Sequence, residues 1–262
     1  MDARWKKLAW WGAIVLVALP GVPFVLVTLG LVVYMYVPVG LDDVSMPGPD
    51  PGARHVVLLA HGLHDTSATW SDPLKRVLDA RDRGDQVVSL DWNPYSTDTF
   101  RCSVDGKRIG SEMGRRFATS AALESMHLVG HSCGSFVVLG LCETLRELRP
   151  DLSVQTTFLD PVTVYGGFFW EYGLEHFGSC GEFSDAWIDT GDDVPGSNEV
   201  LPRAATFDVT PAREASGWTG LPHNWPTVYY TKRAEAGTLL ELRDDASLAS
   251  RRPRGVLQKV AE

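Results

Sequence analysis

Cysteine is scarce in this chain of 262 residues: Cys102, Cys133, Cys142 and Cys180 are all there is, and no two form a C-x-x-C pair. That excludes a disulfide-dense scaffold and gives no sign of a zinc ribbon or a dithiol redox motif. Basic charge is also short, with 24 Lys and Arg against 33 Asp and Glu and a net charge of −9. Arg4, Lys6 and Lys7 all lie at the very start, so the chain beyond them is more acidic still. Such a surface repels phosphate backbones, and no nucleic-acid partner is expected. Internal repeats and low-complexity tracts are missing too. With 44% apolar residues the chain is no disordered polymer.

Charge is absent altogether from Leu8 to Leu41, 34 residues in a row. About 20 helical residues cross a bilayer core, so this stretch is long enough to span one. Trp10 and Trp11 stand near one end, Tyr34 and Tyr36 near the other, where amphipathic rings favour the headgroup level. Basic residues precede the run and Asp42, Asp43 and Asp50 follow it, which places the N-terminus in the cytoplasm and the rest outside. A cleavable signal peptide fits less well, because its apolar core runs to about 7–15 residues and ends at a small-x-small site. Pro20 and Pro23 interrupt the segment, leaving a kinked single helix or a re-entrant hairpin as alternatives. A Pro- and Gly-rich linker, Met46 to Arg54, comes next. The expected organisation is a cytoplasmic stub and anchor over 1–41, a linker over 42–54, a catalytic domain over 55–245 and a polar tail over 246–262.

Within that domain, unalternated apolar runs at His55–Ala60, Gln86–Leu90, Met126–Val129, Val154–Leu159 and Ala186–Ile188 suit strands buried on both faces. Helical spacing lies between them: one helix opens at Asp72 and Pro73 and is closed by Gly84, and others cover Gly106–Ala122 and Ser132–Arg149. Alternating strands and helices make a mostly parallel sheet with helices on both faces. Ligands then bind beyond the carboxyl ends of the strands.

Three such ends carry reactive side chains. Gly130, His131, Ser132, Cys133 and Gly134 form a G-x-S-x-G sequence between a strand and a helix. In that setting a sharp turn pushes the serine hydroxyl out above the sheet, which makes Ser132 the candidate nucleophile. His61, Gly62 and Leu63 end the first strand, and the backbone N–H groups of Leu63 and Cys133 are the candidate oxyanion donors. His61, His64 and Asp65 are also metal-ligand types, but no further cluster supports them, and neither metal nor cofactor is expected. In this class of fold the base follows the nucleophile in the chain. Of seven histidines that leaves His176 and His223, and His223, beyond all five strands, is the better placed. A carboxylate must hold its ring. Asp160 ends one strand and Asp189, Asp192 and Asp193 follow the next, and the pattern does not choose between them.

The segments Val88 to Trp92, Arg108 to Glu112, Met126 to Gly134, Phe158 to Pro161, and Pro222 and His223 with Tyr229 and Tyr230 resemble, in order, the catalytic domain of the pancreatic lipase family. The resemblance runs from about Val56 to Lys232. It implies the α/β-hydrolase fold, the triad Ser132, Asp160 and His223, and an ester-lipid substrate. The cysteine pair that frames that family's lid and its calcium ligands have no counterpart here.

Val164–Phe183 holds seven aromatics in 20 residues, and Phe168, Phe169 and Trp170 are candidate acyl-binding residues on a flap or, alternatively, parts of an ordinary packed loop. In an oxidising exterior Cys102 would pair with Cys180, since Cys133 and Cys142 share the nucleophile helix. The expectation is a single-pass membrane protein whose external domain cleaves carboxylic, and by resemblance lipid, esters as a serine esterase or lipase. Its partners would be an ester lipid and, through residues 8–41, the bilayer. The alternative is an inactive domain used as a tethered binding module.

Overall fold

A computed structural model describes residues 3–260; within the first helix the side chains of residues 3, 5, 6, 8, 9 and 12–20 lie outside the description. Two compact units separate at residue 39, Met1–Val39 and Gly40–Glu262. The first unit holds helix α1, Ala3–Tyr36, whose backbone stays helical through Pro20 and Pro23. Phe24, Val25, Leu26, Val27 and Leu29 along it are all exposed. Residues 12–20, in the first half of the expected membrane span, fall on the undescribed side chains. Among the described residues no helix is long and apolar enough to cross a membrane.

In the second unit, seven parallel strands make one sheet in the order β2-β1-β3-β4-β5-β6-β7. They are β1 (His55–Ala60), β2 (Gln86–Leu90), β3 (Ser125–His131), β4 (Ser153–Leu159), β5 (Phe183–Ile188), β6 (Ala205–Asp208) and β7 (Leu257–Lys259). The connecting helices are α2 (Ser71–Ala80), α3 (Cys102–Ala118), α4 (Ser135–Leu148), α5 (Tyr172–His176), α6 (Thr210–Ser216), α7 (Trp225–Glu235) and α8 (Leu248–Arg251). Side chains alternate across a strand, so each strand feeds two cores. Val56, Leu58 and Ala60 join Ile109 and Met113 of α3 and Phe136 and Val137 of α4 on one face. Leu59 joins Leu74 and Leu78 of α2 and Tyr230 of α7 on the other. Burying the strands on both faces is what makes their sequences uniformly apolar.

The five expected strands are present, and two more complete the sheet. The segment expected as a polar tail, 246–262, carries α8 and the edge strand β7, which pairs with β6 from Thr206 to Asp208. Residues 42–54, expected as a plain linker, lie along the domain: Val44 is buried, Arg116 donates to the Met46 carbonyl at 2.8 Å, and Gln86 donates to the Gly48 carbonyl at 3.0 Å. The cysteine expectation is corrected. Cys102 pairs with Cys133 and Cys142 with Cys180. Cys133 lies in the 3-10 turn Ser132–Gly134 ahead of α4 and bonds to the start of α3, while Cys142, within α4, bonds to the loop before β5.

Candidate active site

Strand β3 runs straight into the turn that carries Ser132. Ser132 has φ +53°, a left-handed conformation that a non-glycine residue adopts only at a cost. The turn closes so tightly that its flanking positions admit no side chain. A Cβ at Gly134 would lie 2.4 Å from the Ala60 carbonyl oxygen, and one at Gly130 would lie 2.7 Å from that of Gly134. Gly62, after β1, is equally constrained, since a Cβ there would stand 2.9 Å from Cβ of Ser132. The loop expected to supply Leu63 as an oxyanion donor therefore lies directly against the serine. Cys133, the second expected donor, is fastened through its side chain to Cys102 at the start of α3.

His223 reaches the same place from the short 3-10 turn Pro222–Asn224 that leads into α7. His131, the residue before Ser132, donates through Nε2 to the His223 carbonyl at 3.0 Å, and the two rings are centred 4.9 Å apart. That fixes the proton of His131 on Nε2. Burial holds His131 neutral, lowering its pKa to about 3. His131 thus braces the backbone of His223 and does no acid–base work at neutral pH.

Two carboxylates meet His223 at Nδ1. Asp192 Oδ2 lies at 2.9 Å and Asp160 Oδ2 at 3.2 Å. Asp160 ends β4 at φ +43° and is fully buried; Asp192 comes from the loop after β5. Burial pushes the Asp160 carboxyl up to about 7. Burial also works against the Asp192 charge, but hydrogen bonds from His223 and Ser197 outweigh it and hold Asp192 below the usual carboxylate range. For His223 burial disfavours the cation, and the two carboxylates more than offset it, raising its pKa to about 9.

The remaining expected residues sort themselves by contact. Asp189 is taken by Arg213, whose Nε donates to its Oδ2 at 2.5 Å, and Asp193 is exposed. His61 spends both ring nitrogens locally, Nδ1 against the Gly62 carbonyl at 3.1 Å and Nε2 against Asp91 at 3.2 Å, so it is no free metal ligand. His176 stacks on Tyr172 with ring centroids 4.0 Å apart. Among the described residues one group of metal-ligand type draws together, Asp160, Asp192 and His223, its donor atoms all within 4.8 Å. The ring nitrogen there is already engaged by both carboxylates. Tyr165, Tyr172 and Phe177 of the aromatic segment pack on Phe136. Phe168, Phe169 and Trp170 are exposed by 50%, 56% and 57%. The segment is therefore packed at its base and open at its tip. A cavity of about 380 Å³ lies beside the site, lined by Trp70, His131, Trp218 and Asn224 among others. Another of about 260 Å³ opens at the opposite ends of the strands, around Val56, Met126 and Tyr230, away from Ser132.

No protein-family profile matches the chain, and no curated protein does. Solved structures do. One, described as a "putative hydrolase of the alpha/beta superfamily" from Xanthomonas campestris pv. campestris, is 14% identical with a TM-score of 0.42 over 70% of this chain and 96% of its own. Another, a predicted CIB-like hydrolase from Thermoplasma acidophilum, is 13% identical with a TM-score of 0.42 over 72% of this chain and 87% of its own.

Proposed function

We propose that this chain is a serine hydrolase of the α/β-hydrolase type that cleaves carboxylic esters, with lipid esters as the preferred class. The observation that carries the reading is the strained Ser132 on the turn after β3, whose preceding residue, His131, contacts a histidine held by two buried carboxylates. In the reaction, Oγ of Ser132 forms a bond to the ester carbonyl carbon as its proton passes to Nε2 of His223. Backbone N–H groups of Leu63 and Cys133 receive the negative oxygen. The carbonyl re-forms, the C–O bond to the alcohol breaks, and the Nε2 proton leaves with that alcohol. Water then repeats the sequence on the acyl-enzyme: its proton goes to Nε2, its oxygen bonds to the carbonyl carbon, and Oγ departs with the proton.

A lipid substrate is supported by the open tip Phe168, Phe169 and Trp170 and by the exposed apolar side chains Phe24, Val25, Leu26, Val27 and Leu29 of α1. Anchoring through residues 8–41 with the catalytic domain outside is supported by the uncharged run and by two disulfides, which persist in oxidising compartments. The test is direct. A fluorophosphonate probe should label the wild type and not Ser132→Ala, and that variant should lose about 10³-fold or more in short-chain ester hydrolysis. Activity within tenfold of wild type removes Ser132 from the reaction. Extraction of the chain by alkaline carbonate would remove the anchor.

A further inference from the structure

Triad logic needs one carboxylate at the histidine, and this site has two on the same nitrogen. Nδ1 carries a single hydrogen, and both Asp192 Oδ2 and Asp160 Oδ2 lie within reach of it. Two ionised carboxyls so close in a buried place repel strongly, and such pairs hold one proton between them. The surroundings decide which member holds it. Asp192 Oδ2 accepts a second hydrogen bond, from the Ser197 hydroxyl, and its own backbone carbonyl is tied by Asn198 Nδ2 at 2.5 Å. Asp160 Oδ1 is buried with no close hydrogen-bond partner, and burial outweighs what His223 and the Asn198 backbone do for its charge. The other titratable group against His223 is His131, on the turn after β3, which donates to the His223 backbone.

Resting on the serine-hydrolase reading, we propose that Asp192 is the ionised carboxylate that orients His223, and that Asp160 is its neutral partner holding the shared proton. Asp192 then touches the reacting imidazole as the charge-bearing member, while Asp160 is a positioning residue that acts through Asp192 and His223. The surroundings of each carboxyl agree: burial raises Asp160 toward neutrality, whereas hydrogen bonds from His223 and Ser197 hold Asp192 low against its burial.

The assignment separates the two by one substitution. Asparagine mimics a protonated carboxyl, so Asp160→Asn should keep kcat within about tenfold of wild type. Asp192→Asn removes the charge and should lower kcat by about 10³-fold, the scale of losing a triad carboxylate, with KM little changed. A second measurement does not depend on turnover. The far-downfield proton resonance of His223 Nδ1 should persist in Asp160→Asn and vanish or shift strongly in Asp192→Asn, each compared with folded wild type by circular dichroism. The reverse order in kcat and in the resonance would overturn the assignment, and so would equal losses in both variants. Failure of the wild type to react with a fluorophosphonate would instead strike the serine-hydrolase reading. The resonance test of the pair would stand apart from it.

Discussion

At the scale of single residues, His223 decides when the site can work. A base must be neutral to take a proton, and against the burial of its ring the carboxyl pair at Nδ1 holds this imidazole charged until about pH 9. Activity should therefore climb with pH through a limb well above the ordinary histidine value of about 6.5. The sign for stability runs the other way. The raised pKa favours the folded state fully below the unfolded value of about 6.5, and that contribution is lost as pH rises through about 9. A kcat/KM profile on a soluble ester checks the first point, and a limb near pH 6.5 would show that the carboxylates leave the ring unperturbed. Ser132 and His223 stand out in the sequence as candidates because a glycine-flanked turn and chain order leave few others. The acid does not, since Asp160 and Asp192 close neighbouring strands and only the fold brings both to one nitrogen. His131 offered no signal as a brace: its role lies in a contact with a carbonyl 92 residues away.

Among the elements, strands buried on both faces announced themselves, and β1 and β2 have the expected bounds. Strands β6 and β7 have four and three residues, too short for any pattern; they exist because a neighbouring strand offers its backbone. α2 begins at Ser71, before the expected Asp72 and Pro73 signal, and Asp72 accepts from Ser67 Oγ at 3.0 Å. The aromatic segment divides in a way composition could not show. Its base is core and its tip is open, so the tip can change without unmaking the fold. If the tip lines the acyl path, each methylene it buries is worth up to about 0.8 kcal/mol. kcat/KM should then rise from acetyl to about octanoyl p-nitrophenyl esters. Changing Phe168→Ala and Phe169→Ala together should flatten that rise and leave acetate hydrolysis nearly unchanged. A double variant that tracks wild type at every chain length would make the tip a bystander.

For the molecule as a whole, the two disulfides divide their labour by position. Cys142–Cys180 ties α4 to the loop before β5, and Cys102–Cys133 ties the start of α3 to the turn beside Ser132. Each closes a loop of a few tens of residues, a constraint worth about 2–4 kcal/mol of stability. Only the second also steadies the candidate oxyanion donor Cys133; complete loss of such a donor costs about 10²–10³ in kcat. Cys102→Ser should therefore lower kcat about tenfold with KM nearly constant, whereas Cys142→Ser should lower the melting temperature and spare kcat. Equal kcat in both variants would make the bond beside Ser132 a plain staple.

That bond also sets a schedule. Every copy leaves the ribosome with Cys102 and Cys133 as separate thiols, and a reducing cytosol keeps them so. The turn next to Ser132 is fastened only once the domain meets an oxidising environment. On the proposed reading, the hydrolase would then gain turnover as that bond forms, so oxidation of Cys102 and Cys133 would itself act as the activating step.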